Sequence, residues 1–599
     1  MMGPRQLLLL FSIATASAAT VTLAPSIPSP APLGTVVTFS ATTIADEGAT
    51  YAYRFRTRRV FPRTSRRAVE PGYRTVVDFG PKTSLDWTTI DGEGPYEVEV
   101  SARNNMTGDV LTDVTAYQFT RVTEDAPAVT PTRHPLVFLY SAPPCALGSS
   151  MWVRFAPSDN SAPAQQTPVK DCDGRTSMNF YLAGLRAATR YTAWQAIATE
   201  GPVLDGPQVT FTTGAVTLLL PQATPLSTPV PDTGTVLLQS VLNGRSIATD
   251  LNGNLLWYSP AGLSLITRMS GPGTMLGILE DGSRDTSAQI FREFDLLGIT
   301  MAETNAARVN EQLRAAGARP ITSFHHEAIR LADGSYLVLA GTEQILTDVQ
   351  GQGDTNILGD MILVLDRDLQ VQWFWDAFNY FDVTRPALLN ETCSYPASLA
   401  CSAFYDATLA NDWLHGNSLQ LTPDGNILYS VRHQDWVVKI DYRNGSGTGN
   451  ILWKLGAGGD FTLTSGNDLD WFSHQHDAQI LPDGTLMLFD NGNTRIFRNT
   501  DQGTSRGQIW QLDEEAHTAT LLFNADLKVN SAALGTGQVL ANGNYHFDAG
   551  FIPAPGNPNQ RISQALELDP SGNIVWGMQI NAQEYRSYRL TDLYTPPVP

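Results

Sequence analysis

Six times between residues 251 and 579 the sequence closes an apparent unit with a strand-like run, usually behind a Gly turn or polar residues and often carrying Trp. The runs are LNGNLLWYS (251–259), DLLGITMAE (295–303), RDLQVQWFWD (367–376), GNILWKLG (449–456), HTATLLFN (517–524) and PSGNIVWGMQ (570–579). Between them a second element recurs, a tight turn followed by an outgoing strand: LADGSYLVLAG, LTPDGNILYSV, LPDGTLMLFDNG and LANGNYHFDAG. Hairpins alternating at irregular intervals of roughly 45 to 80 residues are the pattern of propeller blades with variable loops. A single blade cannot bury both its faces, and stacking around an axis buries each blade against its neighbours. Six units predict a six-bladed β-propeller over residues 234–599.

A chain of 599 residues is too long for one core, and the part before the propeller also reads as β-structure. In residues 20–122, TVVTFSATT, TYAYRFRTRR and YEVEVSARN alternate in strand fashion between Gly, Asp and Pro turns, which predicts a small Ig-like β-sandwich. The arginines of Arg54-Phe55-Arg56-Thr57-Arg58 fall on one strand face, and Arg59, Arg63, Arg66 and Arg67 follow; a solvated face explains them better than an anion site. In residues 132–214, LAGLRAATRYTAWQAIA followed by VTFTT resembles the later strands of a fibronectin type III module, where a Leu and a Tyr pin a corner between sheets. PQATPLSTPVPDTG then reads as a linker. The expected class is all-β: two small sandwiches followed by a propeller.

Residues 1–18 read as a signal peptide: one Arg, an apolar stretch from Leu7, and the small-residue run Ala16-Ser17-Ala18. An exported protein, periplasmic or secreted, follows from that pattern. Nothing else approaches the ~18 apolar residues of a membrane span. Export allows disulfides, and Cys145 with Cys172 and Cys393 with Cys401 is the simplest of three pairings. Cys/His zinc spacing is absent. A formal net charge of −20 argues against a nucleic-acid partner. The sequons at Asn105, Asn390 and Asn444 matter only in a eukaryotic source.

The histidines follow the turns. His326 in SFHHEAIRLADG lies eight residues before Gly334, and His476 in SHQHDAQILPDG lies eight before Gly484. His415 in WLHGNSLQLTPDG lies ten before Gly425. The strand before each Asp-Gly turn is the natural innermost strand of its blade, so a residue where it begins stands at one mouth of the channel. Three blades would deliver three imidazoles to one funnel. Arg432, in SVRHQDW, adds a fork of donors suited to a tetrahedral oxyanion. One neutral imidazole can attack sulfur or phosphorus while the others hold oxygens or protonate a leaving group. Imidazole clusters also bind metals, and His474 and His476 would share a strand face. Glu327 and Asp477 directly follow their histidines, and strand alternation points them to the opposite face, away from such a cluster.

On these residues the sequence resembles the arylsulfate sulfotransferase family, the PAPS-independent enzymes that pair an N-terminal β-sandwich with a six-bladed propeller. The resemblance covers roughly residues 234–599 and is densest at SFHHEAIRLADG, DWLHGNSLQLTPDGNILYSVRHQDW and FSHQHDAQILPDG. It implies a sulfuryl group passed from an aryl sulfate to a phenol by a ping-pong route. It maps the transiently sulfated nucleophile to His476, with His474 an alternative, and a further catalytic residue to His326, with His325 the weaker choice. His415 and Arg432 map to the pair that holds the sulfuryl group, and Asn417 to a substrate-binding position. The resemblance implies no metal or other cofactor, phenolic donor and acceptor molecules as partners, and allows a homodimer. This chain departs from the simpler members in having two sandwiches. Its rivals are a non-catalytic propeller binding a ligand or protein, and a metal-dependent hydrolase or lyase in the same channel. Trp413, Trp436, Trp471, Phe472 and Tyr545 adjoin the motifs, either to stack on an aryl ring or to fill blade cores.

Overall fold

The computed structural model describes residues 19–44, 48–61, 72–228, 235–395, 401–499 and 503–597. The expected signal peptide, residues 1–18, lies outside them, as do Arg63, Arg66 and Arg67.

Six four-stranded antiparallel units form the C-terminal part. Blade 1 combines Val236–Val241, Ile247–Asp250 and Leu255–Tyr258 with the last strand of the chain, Glu584–Leu590. Blade 2 is Leu265–Gly271 through Thr300–Asn305, and blade 3 is Phe324–Arg330 through Val371–Asp376. Blade 4 is Gly416–Leu421 through Ile451–Gly456, and blade 5 is His476–Ile480 through Thr518–Asp526. Blade 6 is Thr536–Val539 through Ile574–Ile580. The innermost strands touch one another in order, and Thr536–Val539 meets Glu584–Leu590, so the ring closes as a six-bladed propeller. All six repeated runs end in the outermost strand of a blade. Four of those strands carry a buried tryptophan, Trp257, Trp375, Trp453 and Trp576. Each hides about 150–250 Å², or about 4–6 kcal/mol at ~25 cal/mol per Å², which is why the repeat is written in tryptophan.

The turns that link first and second strands explain the other repeated element. Gly334, Gly425, Gly484 and Gly543 adopt φ of +87°, +79°, +86° and +83°, a region that penalises any side chain. Asp333 and Asp483 accept from the backbone N–H two residues on, at 2.9 Å in both cases.

The N-terminal modules are fastened to this ring. One sheet of the first sandwich holds Thr20–Pro25, Val37–Ile44 and Ser84–Trp87. The other ends in Arg74–Gly80, which pairs in parallel with the outer strand of blade 2 through Val77 and Glu303, giving one nine-stranded sheet. Asn305 Nδ2 donates to Phe79 O at 2.9 Å across that seam. Arg56 and Arg58 pair with Glu99 and Glu97 of the adjacent strand, so the arginine run is a laddered face. In the second sandwich the Cys145–Cys172 disulfide is present, and Tyr191 accepts from the Arg186 N–H at 2.9 Å beside buried Leu185, making the expected corner. Arg186 reaches Asp250 of blade 1 at 2.7 Å. Within the Pro/Thr-rich segment, Ala223–Pro225 adds a fifth strand to blade 6.

Candidate active site

The innermost strand of each blade pairs antiparallel with the second, and four of the six begin with a break in the ladder. Register shifts fall between Phe324 and Ala328, Gly416 and Ser418, His476 and Gln479, and Glu584 and Arg586. His326, His415 and Asp477 adopt φ of +56°, +52° and +49°, a conformation that costs a non-glycine residue about 1–3 kcal/mol and persists only where its surroundings impose it. These bulges re-aim the side chains. His326, His415, Arg432 and His476 all line one cavity of about 670 Å³ at the mouth where the strands begin, together with Tyr585, Phe551 and Leu534. The His326 and His415 rings lie 4.8 Å apart, centre to centre.

Each imidazole is held from one side. His476 Nδ1 donates to Asn491 Oδ1 at 2.7 Å, and the Asn491 amide is oriented by donating to Ser531 O and Leu534 O at 2.7 and 2.9 Å. The lone pair of His476 therefore sits on Nε2, where the Leu534 N–H approaches to 3.2 Å. His326 Nδ1 meets His325 Nδ1 at 2.8 Å, which leaves Nε2 as its open nitrogen. His415 Nδ1 donates to Asp412 Oδ2 at 2.6 Å. Arg432 donates through Nη1 to His433 Nε2 and through Nη2 to Ala532 O at 3.2 Å, while its buried Nε–H has no partner.

Below the histidines an ion cluster closes the channel. Arg268 of blade 2 and Arg586 of blade 1 meet Glu327 of blade 3 and Asp477 of blade 5, at distances of 2.8 to 3.6 Å. Glu327, Asp477 and Arg586 are fully buried. The two carboxylates thus stand apart from the imidazoles, as strand alternation leads one to expect, and are taken up by the arginines beneath. The cluster divides the 670 Å³ cavity from one of about 330 Å³ at the other mouth, lined by Arg268, Asp477 and Tyr588.

The electrostatics split the histidines into two sets. Burial, then the charge of His415 and other neighbours, holds His326 well below the ordinary histidine range. Burial, then Arg432, does the same for His476. Both are neutral imidazoles at neutral pH. His325 and His474 shift upward although burial opposes it, because Asp360 pairs with the first at 3.1 Å, and Asp435 and Glu391 with the second at 2.8 and 2.5 Å.

Of the remaining candidates, Asn417 is buried outside the cavity lining; its Nδ2 donates to Gln475 O at 2.7 Å, and its Oδ1 has no partner. Trp413, Trp436, Trp471, Phe472 and Tyr545 pack in blade cores, and Phe551 and Tyr585 supply the aromatic walls. Cys393 and Cys401 form a disulfide, and Cys401 lines the cavity. Sequence reasoning missed Asn491, Leu534, Arg268 and Arg586; only the Asn-Gly after LMLFD hinted at the first. Glu391, His433 and His474 bring ligand-type atoms within 4.8 Å. His433 donates from Nδ1 to Asp412 O at 2.6 Å, so its Nε2 is an acceptor, as in many metal sites. The Arg432 guanidinium already occupies that acceptor, and Glu391 sits at hydrogen-bond distance from His474. The group fits a network that holds Arg432 better than it fits a metal.

Residues 207–589 match a family model described as Arylsulfotransferase (ASST). The chain is 27% identical over 291 residues to the arylsulfate sulfotransferase AssT of Escherichia coli O6:H1, covering 41% of this chain and 46% of that protein. It thus spans about half the length of the curated relative it matches. Two solved structures align at 12% identity and a TM-score of 0.13, too low to bear on the fold: the chicken interferon gamma receptor alpha chain (33% of this chain, 99% of that one) and a two-domain fibronectin type III segment of chicken tenascin (32% and 98%).

Proposed function

The chain belongs to the arylsulfotransferase (ASST) family, and from that premise we propose that it transfers a sulfuryl group from an aryl sulfate to a phenol through a sulfated His476. The observation that carries this reading is the Nε2 lone pair of a neutral, buried His476 in a cavity shared with Arg432 and two other imidazoles. In the first half-reaction Nε2 attacks sulfur and forms an N–S bond. The sulfur–aryl oxygen bond breaks with its electron pair on oxygen, and the leaving phenolate takes the Nε2 proton of His326 as His326 Nδ1 takes a proton from His325, whose ring Asp360 pushes towards the imidazolium. In the second half an acceptor phenol returns its proton to His326 Nε2 as its oxygen attacks sulfur, His326 Nδ1 hands its own back to His325, and the N–S bond breaks back onto Nε2 of His476.

Arg432, through its unpartnered Nε–H, is placed to hold the sulfuryl oxygens, with His415, fixed by Asp412, lining the same pocket. The Leu534 N–H leaves Nε2 as sulfur arrives and supplies another donor to the sulfuryl group. Asn417 supports the site from below, linking blade 4 to blade 5. Two disulfides support an exported protein, and among the described residues no helix is long and apolar enough to cross a membrane. On this reading residues 234–599 carry the chemistry, and the modules at 20–122 and 132–214 are fixed appendages.

The test is intact-mass analysis after mixing with p-nitrophenyl sulfate and no acceptor. A gain of about 80 Da, one SO3 group, with one equivalent of nitrophenol, is expected; it disappears in His476→Ala and discharges on adding phenol. Folded protein that gains no mass and releases no nitrophenol refutes the reading and favours a binding propeller.

A further inference from the structure

The same cavity also carries charge that the chemistry above does not use. Among the described residues lining it, the groups of fixed charge type are Arg432 of blade 4, Arg561 of blade 6 and Glu280, which follows Thr274–Leu279 of blade 2. Glu280 is the one carboxylate among them. It also lines an adjoining cavity of about 220 Å³, and the two share Leu242, Leu265 and Cys401 as walls. Glu280 is thus a wall of both spaces.

The side chain is presented by a fixed backbone. The Glu280 N–H donates to Ser264 Oγ at 3.0 Å, and that hydroxyl donates back to the Glu280 carbonyl at 3.3 Å. Among the described residues its carboxyl has no hydrogen bond or ion pair, whereas neighbouring Asp281 is engaged by the Ser283 N–H at 2.8 Å. Burial pushes the Glu280 carboxyl up to about 7, against the opposing pull of nearby His325. A half-buried acid without a partner is a standing cost that a complementary ligand group removes.

We propose that Glu280 selects the acceptor, receiving a cationic amine at the far end of the phenol, so that phenolic amines are the favoured substrates. This rests on the sulfotransferase reading. Arg432 takes the sulfuryl end, Leu242 and Leu265 flank the ring, and the ammonium group pairs with the Glu280 carboxylate. A neutral phenol of the same length fits the same apolar walls but leaves Glu280 uncompensated. The preference strengthens as pH rises through 7, because only the ionised carboxylate attracts the amine.

The test pairs tyramine with 4-propylphenol, a neutral acceptor of similar length, using p-nitrophenyl sulfate as donor. The kcat/KM ratio is expected to favour tyramine by at least about tenfold above pH 7 and to approach unity in Glu280→Gln. A ratio near one in the wild type, or one that survives Glu280→Gln, overturns the proposal. If the variant does not fold, the wild-type ratio decides: it rises through pH 7 or, if flat, refutes the role of Glu280. If no nitrophenol is released at all, the transfer reading has failed, and calorimetry of the two acceptors is the readout. Tighter binding of tyramine that Glu280→Gln abolishes supports the amine site, and equal binding sinks it.

Discussion

Asn491 fixes which nitrogen of His476 carries the lone pair, and two substitutions there should act in distinguishable ways. Leucine removes the acceptor from Nδ1–H and leaves that donor buried. An unpaired buried donor costs about 1–3 kcal/mol, which slows sulfation by about 5- to 150-fold at 1.4 kcal/mol per tenfold. The alternative tautomer offers no relief, since Nε2–H would face the Leu534 N–H. Aspartate keeps an acceptor near 2.7 Å but adds a charge. At an effective dielectric of about 20 and ~4 Å, the attraction to an imidazolium is about 4 kcal/mol. Burial of the new carboxylate takes back part of it, so the His476 pKa rises by about 1–3 units. In the wild type that pKa is depressed, so single-turnover nitrophenol release should hold until well below the ordinary histidine range and fall only in acid. Asn491→Asp should move that acid limb upward; Asn491→Leu should lower the plateau. Stopped-flow release against pH reads both. A limb that stays in place in Asn491→Asp, or a wild-type rate in folded Asn491→Leu, refutes the assignment of the lone pair to Nε2.

Glu327→Gln leaves Arg268 and Arg586 facing a single carboxylate, and should destabilise the propeller by about 3–5 kcal/mol, read from guanidinium unfolding. His433→Phe deprives Arg432 Nη1 of its acceptor and should cost about tenfold in kcat/KM for the aryl sulfate, at ~1–2 kcal/mol; His433→Gln, which can accept and donate in the same places, should recover most of it. Asp548 and Glu584 form a buried carboxyl pair, both raised by burial, and hydrogen-bond each other. The folded chain therefore keeps protons that the unfolded chain releases, so stability contributed by the pair is complete at acid pH and lost as pH rises beyond the ordinary carboxyl range. A melting temperature that falls with pH in the wild type, and falls less in Glu584→Gln, is the expected result.

The fold was legible where burial is uniform along an element. The outermost blade strands read correctly because Trp257, Trp375, Trp453 and Trp576 must be covered by a neighbouring blade, and the Asp-Gly turns read correctly because only glycine suits their backbone. The strand that closes the ring was not legible in the same way. EYRSYRL places Arg586 and Arg589 at 1% and 3% exposure, and nothing in its local pattern separates it from a solvated strand; its partners lie on strands distant in the chain. The docking of Arg74–Gly80 on blade 2 was hidden for the same reason, since an edge gives no sign of what will pair with it.

The site was legible to the extent that it repeats. His326 and His476 stood out by a shared offset from a turn, but the offset says nothing of the bulge that gives one dipeptide two tasks. In His326-Glu327 and His476-Asp477 the imidazole reaches the cavity and the carboxylate reaches the ion cluster beneath it. That separation controls the chemistry. Where Asp360 pairs with His325, and Asp435 and Glu391 with His474, the ring is pushed towards the imidazolium, which has no lone pair to attack with. Arg268 and Arg586 engage Glu327 and Asp477 instead, so neither carboxylate opposes the burial that holds His326 and His476 neutral. An acid following a histidine in such a repeat is therefore no sign that the pair forms a dyad: here the arginines of two other blades take the carboxylates, and burial keeps the imidazoles neutral.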